Sequence, residues 1–297
     1  MSAIAETPVD GKTEPIQVLF LLHEGFDTVD FTGPMETFWY AKNDDISKPE
    51  GQAFVIHTVA EDERVISNQG IKIKADMDFE EAEDRLDEFD ILAIPGGNVV
   101  ALLDSKALDD LPTVTIAKAW CALQKKDPSR ERTLFSICTG SLFLAKAGLL
   151  QGLSATTHPD HYTKFEILCQ EAAKADSLVP TNVMEERYVV NNARFDLGPD
   201  LDENPFILSK KPDGRRPSTA RKGSDAWKLS RRRESLVRRG QLPLGGMRVI
   251  TAGGITAGLD ATLYLIGALV TIEAAKKVAH SLQYVWNKGV TVEGIDV

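Results

Sequence analysis

Short, uninterrupted apolar runs recur along this sequence, and stretches with helical spacing separate them. Residues 16–22 read IQVLFLL, 90–94 DILAI, 133–137 TLFSI and 248–252 RVITA. A strand with one wet face alternates apolar and polar residues, whereas a continuous short run implies a strand buried on both faces. Residues 53–60 (AFVIHTVA) and 187–193 predict two further strands, and 71–75 part of a hairpin. Helical spacing predicts helices over 33–42, 114–125, 139–150, 256–270 and 273–286. Alternation of this kind predicts an α/β fold, a three-layer sandwich with a mainly parallel, flavodoxin-like sheet. Ligands in such folds bind beyond the carboxyl ends of the strands, so chemistry is sought in the residues just after each strand.

Composition narrows the function classes. With 43% hydrophobic and 26% charged residues among 297, disordered, collagen-like and coiled-coil classes fall away. A net charge of −10 argues against nucleic acid as partner of the whole molecule. The three cysteines, Cys121, Cys138 and Cys169, form no paired framework, so a reducing compartment, the cytoplasm, is expected. No apolar run reaches the ~18 residues of a membrane span. The opening residues carry neither the basic end nor the apolar stretch of a signal peptide.

The charge is unevenly placed. Residues 209–240 hold twelve Lys or Arg against three Asp or Glu, a local +9 that leaves −19 for the remainder. A segment so rich in Arg, Ser, Gly and Pro cannot build a core. Residues 197–245 are therefore expected to form a basic, mobile insertion in a single domain made of 15–196 and 246–290, with 1–14 as a flexible tail.

Four strand ends carry suggestive chemistry. The strongest is SICTGS (136–141), where a buried strand runs straight into a helix with Cys138 at the junction. A thiol presented at such an elbow is placed as a nucleophile, and the helix N-terminus is expected to lower its pKa; otherwise it is a small buried apolar residue. The amides of Cys138 and Thr139 can hold an oxyanion. Cys121 and Cys169 sit within apolar helical faces and are read as inert. Pro95-Gly96-Gly97 lets backbone approach a ligand closely, or makes an ordinary tight turn. Asp30, four residues before a proline that can open a helix, is either a desolvated general acid/base or that helix's cap. Glu24 and Asp27 are read as solvated loop charges. His158, after ATT (155–157), is either a base for Cys138 or structural.

The motifs DFTGP (30–34), IPGG (94–97), SICTGS (136–141), GLLQG and ATTH (148–158) and AGGITAGLD (252–260) together resemble the ThiJ/PfpI superfamily, in its isonitrile hydratase-like branch. The resemblance implies Cys138 as nucleophile and Asp30 as the neighbouring general acid/base, with Thr139, Gly96 and Gly97 lining the site. It implies a homodimer acting on a small molecule without cofactor or metal. The implied activity is that of a hydro-lyase: Cys138 adds to an isonitrile, and Asp30 protonates the adduct and then activates water to release an N-substituted formamide. Glyoxalase-like, deglycase-like or redox-sensing roles and non-catalytic binding modules are the alternatives. The last is least expected, because about ten residues after the final helix hold no helix-turn-helix.

Two features depart from the pattern. The basic insertion is one, and the aromatic cluster Phe31, Phe38, Trp39 and Tyr40 close to Asp30 is the other. Within the insertion, Ser218, Ser224 and Ser235 each follow two basic residues with one residue between, the charge pattern read by basophilic kinases. Phosphorylation there is expected to offset part of the basic charge. A solvated linker is the plainer reading, and nuclear import or RNA contact through Arg231, Arg232 and Arg233 a third.

Overall fold

The computed structural model describes residues 14–42, 51–105, 107, 111–176, 178–192, 194–195, 240–292 and 295–296. The N-terminal tail, nearly all of the basic insertion and its three serines lie outside the described residues. Thirteen strands are described, in chain order β1 (Ile16–Leu21), β2 (Phe54–Val59), β3 (Arg64–Ile66), β4 (Lys72–Lys74), β5 (Ile91–Ile94), β6 (Thr133–Ile137), β7 (Ser154–Ala155), β8 (Asn182–Val183), β9 (Tyr188–Asn191), β10 (Arg194–Phe195), β11 (Arg248–Ala252), β12 (Val290–Val292) and β13 (Ile295–Asp296). Seven of them form one sheet in the order β12-β9-β11-β6-β5-β1-β2. The five from β11 to β2 are parallel, while β9 pairs antiparallel with β11 and parallel with β12. The expected α/β architecture is present, with a reversed pair closing one edge.

Two helical layers cover the sheet. One holds α1 (Thr28–Tyr40), α7 (Ala257–Leu269) and α8 (Ile272–Ser281); the other holds α2 (Phe79–Asp84), α3 (Val99–Ser105), α4 (Pro112–Lys126), α5 (Ser141–Lys146) and α6 (Tyr162–Asp176). The continuous apolar runs are explained by this burial on both faces. Along β1, Val18 and Phe20 enter the first core, with Phe38, Ile137 and Leu263; Leu19 and Leu21 enter the second, with Trp120, Leu134 and Phe143. Each large side chain so buried contributes roughly 1.5–3 kcal/mol. Helix starts are fixed locally: the Asp78 carboxylate accepts from the Glu81 N–H ahead of α2, and the Thr271 hydroxyl accepts from the Ala274 N–H ahead of α8.

One boundary differs from the sequence reading in a way that matters for the site. α1 begins at Thr28, so Pro34 lies inside the helix instead of opening it. Proline cannot donate to the carbonyl one turn back, and here that carbonyl belongs to Asp30. Asp30 is thus no cap but a buried first-turn residue. Glycines let α1 and α7 approach closely. A Cβ at Gly33 would stand 3.1 Å from Leu259, and one at Gly258 would stand 3.0 Å from Ile137 and 3.5 Å from Pro34. That close packing brings the start of α1 over the end of β6.

Candidate active site

β6 ends at Ile137, and the chain turns at once into a short 3-10 turn, Cys138–Gly140, that leads into α5. The turn requires Cys138 to adopt φ +56°, a left-handed conformation unfavourable for a residue with a Cβ. Its carbonyl is held by the hydroxyls of Ser141 and Thr157, both donating over 3.2 Å. The residue is left only 3% exposed. The predicted strand-to-helix elbow is therefore present, with a strained backbone at the thiol.

The loop after β5 packs against this elbow through its glycines. A Cβ at Gly96 would lie 2.7 Å from the Thr139 nitrogen and 2.8 Å from Asp30 Oδ2; one at Gly97 (φ +124°) would lie 2.3 Å from the Gly25 carbonyl oxygen. No side chain fits at either position. The Gly96 N–H donates to Asp30 Oδ2 (3.0 Å), and the Gly97 N–H donates to Thr139 Oγ1 (2.9 Å). The Asp27 N–H donates to the Gly96 carbonyl (2.9 Å), so the loop also pairs with the segment that carries Asp30. The two glycine amides expected to face a ligand are thus engaged by side chains of the protein, and they order the site.

Asp30 is fully buried, and its second oxygen, Oδ1, has no hydrogen-bond partner among the described residues. One ligating atom each from Asp27, Asp30 and Cys138 lie within 4.8 Å of one another. The electrostatics follow from this crowding. Burial, then the charge of Asp27, pushes the Asp30 carboxyl up to about 7, against a lowering by the Gly96 N–H and Cys138. Burial and the Asp30 carboxylate push the Cys138 thiol well above its usual range, and the Thr139 N–H only partly offsets them. The lowered thiol pKa expected from a helix N-terminus is thereby corrected. The helix is a single short one, and desolvation with an adjacent negative charge outweighs its dipole. Burial and the neighbouring charge thus disfavour ionising both groups at once, so the titrations of Cys138 and Asp30 are coupled.

Cys138, Asp30, Thr139, Gly96 and Gly97 come together as expected, and Asp27 joins them. The reading of Asp27 as a solvated loop charge is corrected: it is half-buried, and its Oδ1 accepts from Asn68 Nδ2 (3.2 Å) and Gln69 Nε2 (2.9 Å). His158 is not a member of the cluster. It caps the 3-10 turn Pro159–His161, where its Nδ1 accepts from the Asp160 N–H at 3.2 Å. The neighbour that reaches the elbow is Thr157, whose hydroxyl holds the Cys138 carbonyl. Cys121 and Cys169 are buried in α4 and α6, as read.

The DJ-1/PfpI family is matched over residues 16–193. The isonitrile hydratase of Pseudomonas putida is 27% identical over 270 residues, 91% of this chain and 78% of that protein. An uncharacterized protein in the cpoL 5' region of Streptomyces lividans is 30% identical over 148 residues, 50% of this chain and 90% of its own. Among solved structures, a ThiJ/PfpI family protein from Pseudomonas syringae aligns with a TM-score of 0.53 at 20% identity, over 95% of this chain and 82% of that one. Schizosaccharomyces pombe DJ-1 aligns with a TM-score of 0.54 at 16% identity, over 91% of this chain and all of its own. At these identities the structural likeness concerns the fold alone.

Proposed function

The chain belongs to the DJ-1/PfpI family, and on that premise we propose that it is a cysteine-dependent hydratase converting a small isonitrile to an N-substituted formamide. The observation that carries the reading is the buried Asp30–Cys138 pair, a thiol at a strained elbow beside a carboxylate with one unengaged oxygen. The likeness to an isonitrile hydratase along most of the chain supports the choice of substrate class.

The pair supplies the two functions the reaction needs. Asp30 takes the thiol proton as the sulfur bonds to the terminal isonitrile carbon. That carbon gains a negative charge, and Asp30 returns the proton to it, leaving a thioimidate, Cys138–S–CH=N–R, and a free carboxylate. The carboxylate then takes a proton from water as hydroxide adds to the same carbon, and the nitrogen receives that proton. The C–S bond breaks as the carbonyl forms, and the hydroxyl proton returns to sulfur through Asp30. One isonitrile and one water give one formamide, and the thiol is regenerated.

This site fits addition to a neutral substrate better than peroxide sensing. A sensor thiol is exposed and ionised, whereas Cys138 is buried and its thiol pKa is raised. The deciding experiment supplies p-nitrophenyl isonitrile and methylglyoxal in parallel. Formamide from the first, with no Cys138-dependent loss of the second, is the expected result. Consumption of methylglyoxal alone would replace this function with the glyoxalase or deglycase alternative.

A further inference from the structure

We propose that His23 is a positioning residue of this site, holding the Pro95–Gly96 peptide so that its N–H stays aimed at the Asp30 carboxylate. The proposal rests on the Asp30–Cys138 pair acting as described above. His23 follows β1, is buried, and stacks edge-on against Phe143 of α5 with ring centroids 5.4 Å apart. Its Nε2 lies 3.3 Å from the Pro95 carbonyl oxygen, and its Nδ1 lies 3.1 Å from the carbonyl oxygen of Glu24. The Pro95 carbonyl and the Gly96 N–H are the two ends of one peptide unit. That N–H is the donor to Asp30 Oδ2 at 3.0 Å. Imidazole, peptide and carboxylate thus form one line of hydrogen bonds that ends at the reacting pair.

The tautomer follows from burial. A neutral imidazole has one N–H to give and two carbonyls facing it. The contact with the Glu24 carbonyl is only part-buried, so that acceptor can turn to water, whereas the contact with the Pro95 carbonyl is buried. Leaving a buried acceptor unpaired is the costlier outcome, which places the proton on Nε2. The charged groups around the ring are Glu24 and Asp27 on its own loop; Glu61, Asp62 and Arg64 line the same cavity from beyond β2. Burial outweighs the hydrogen bonds to the Glu24 and Pro95 carbonyls and the charges of Asp27 and Glu24, and pushes the imidazole below its usual range, so it stays neutral where Asp30 titrates. A donor at Pro95 also polarises the peptide and strengthens the Gly96 N–H.

The test reads Cys138 without an isonitrile. Alkylation by iodoacetamide is followed by peptide mass spectrometry from about pH 5 to about pH 9, spanning the raised carboxyl value. In the unaltered protein the rate should rise with a midpoint near 7, as Asp30 becomes a base. His23→Phe keeps the aromatic contact but removes the donor, and should move that midpoint up by about one pH unit. His23→Gln, whose amide can reach Pro95, should restore it. A folded His23→Phe protein with the original midpoint overturns the proposal, as does a His23→Gln midpoint displaced like that of His23→Phe. Should His23→Phe not fold, long-range ¹H–¹⁵N NMR of the unaltered protein decides: a proton on Nε2 supports the role, and a bare Nε2 refutes it. Failure of isonitrile turnover in the unaltered protein, with the alkylation shift present, would count against the proposed substrate and leave this assignment standing.

Discussion

Cys121 on α4 and Cys138 at the β6 elbow are both nearly inaccessible, at 2% and 3% exposed. Burial pushes the Cys121 thiol up to about 12, with Lys125 the only other influence, and it pushes the Cys138 thiol up as well. Burial and acidity do not set the two apart. The backbone and the neighbour do: Cys121 lies in a regular helix among apolar side chains, whereas Cys138 is held at a positive φ with a carboxylate beside it. On the proposed mechanism Cys138 is activated by the adjacent Asp30 as base, not by a low pKa of its own.

Substitutions at the two positions should therefore diverge. The largest effect is expected from Cys138→Ala, which removes the bond-forming atom and should abolish formamide production while the protein stays folded; full-rate hydration by this variant would end the mechanism. Asp30→Asn keeps an acceptor for the Gly96 N–H but loses the proton shuttle. It should lower kcat/KM by about a thousandfold. Gly96→Ala places a Cβ against the Thr139 nitrogen and the Asp30 carboxylate, and displacement of that geometry should cost about a hundredfold in turnover. Cys121→Ala should leave turnover unchanged and lower stability by about 1 kcal/mol in denaturant titration. Turnover lost with Cys121 and kept with Cys138 would invert the comparison.

Stability sharpens the same contrast. The left-handed conformation at Cys138 favours glycine, so Cys138→Gly should exceed Cys138→Ala in unfolding free energy by about 1 kcal/mol. Asp30 adds a pH dependence. Burial holds its carboxyl near 7 in the folded protein, above the ordinary aspartate value of 3.8, so the folded protein keeps a proton that the unfolded chain has already released. Its contribution is fully present below about pH 4, declines as pH rises, and is lost above about pH 7. The Tm of Asp30→Asn relative to the unaltered protein should therefore be more favourable at pH 8 than at pH 4.

Much of this arrangement was legible in the sequence, for physical reasons. Strands buried on both faces must be continuously apolar, and β6 and β11 match their predicted bounds. Small residues at a strand-to-helix junction marked the elbow, and PGG marked a close backbone approach. The sequence puts the start of α1 too late because proline is commonest in a first turn, while here the helix begins five residues earlier, at Thr28, and leaves a carbonyl without its usual donor. Asp27 and His23 sit in a polar loop, HEGFD, whose composition resembles a solvated connection. Pairing of that loop with Gly96 and Gly97 draws Asp27 half out of solvent, and Pro95 and Phe143 enclose His23. The thiol's raised pKa is likewise out of reach of the sequence, because it depends first on burial and then on a carboxylate more than a hundred positions away in the chain.

The central claim is that Asp30 and Cys138 act as one proton-sharing pair. The rate of Cys138 alkylation against pH in the unaltered protein and in Asp30→Asn tests it directly. The account predicts a rise centred near 7 that vanishes in Asp30→Asn, where the buried thiol should react only at much higher pH. Superimposable curves for the two proteins, centred in the ordinary range of a free thiol, would contradict it.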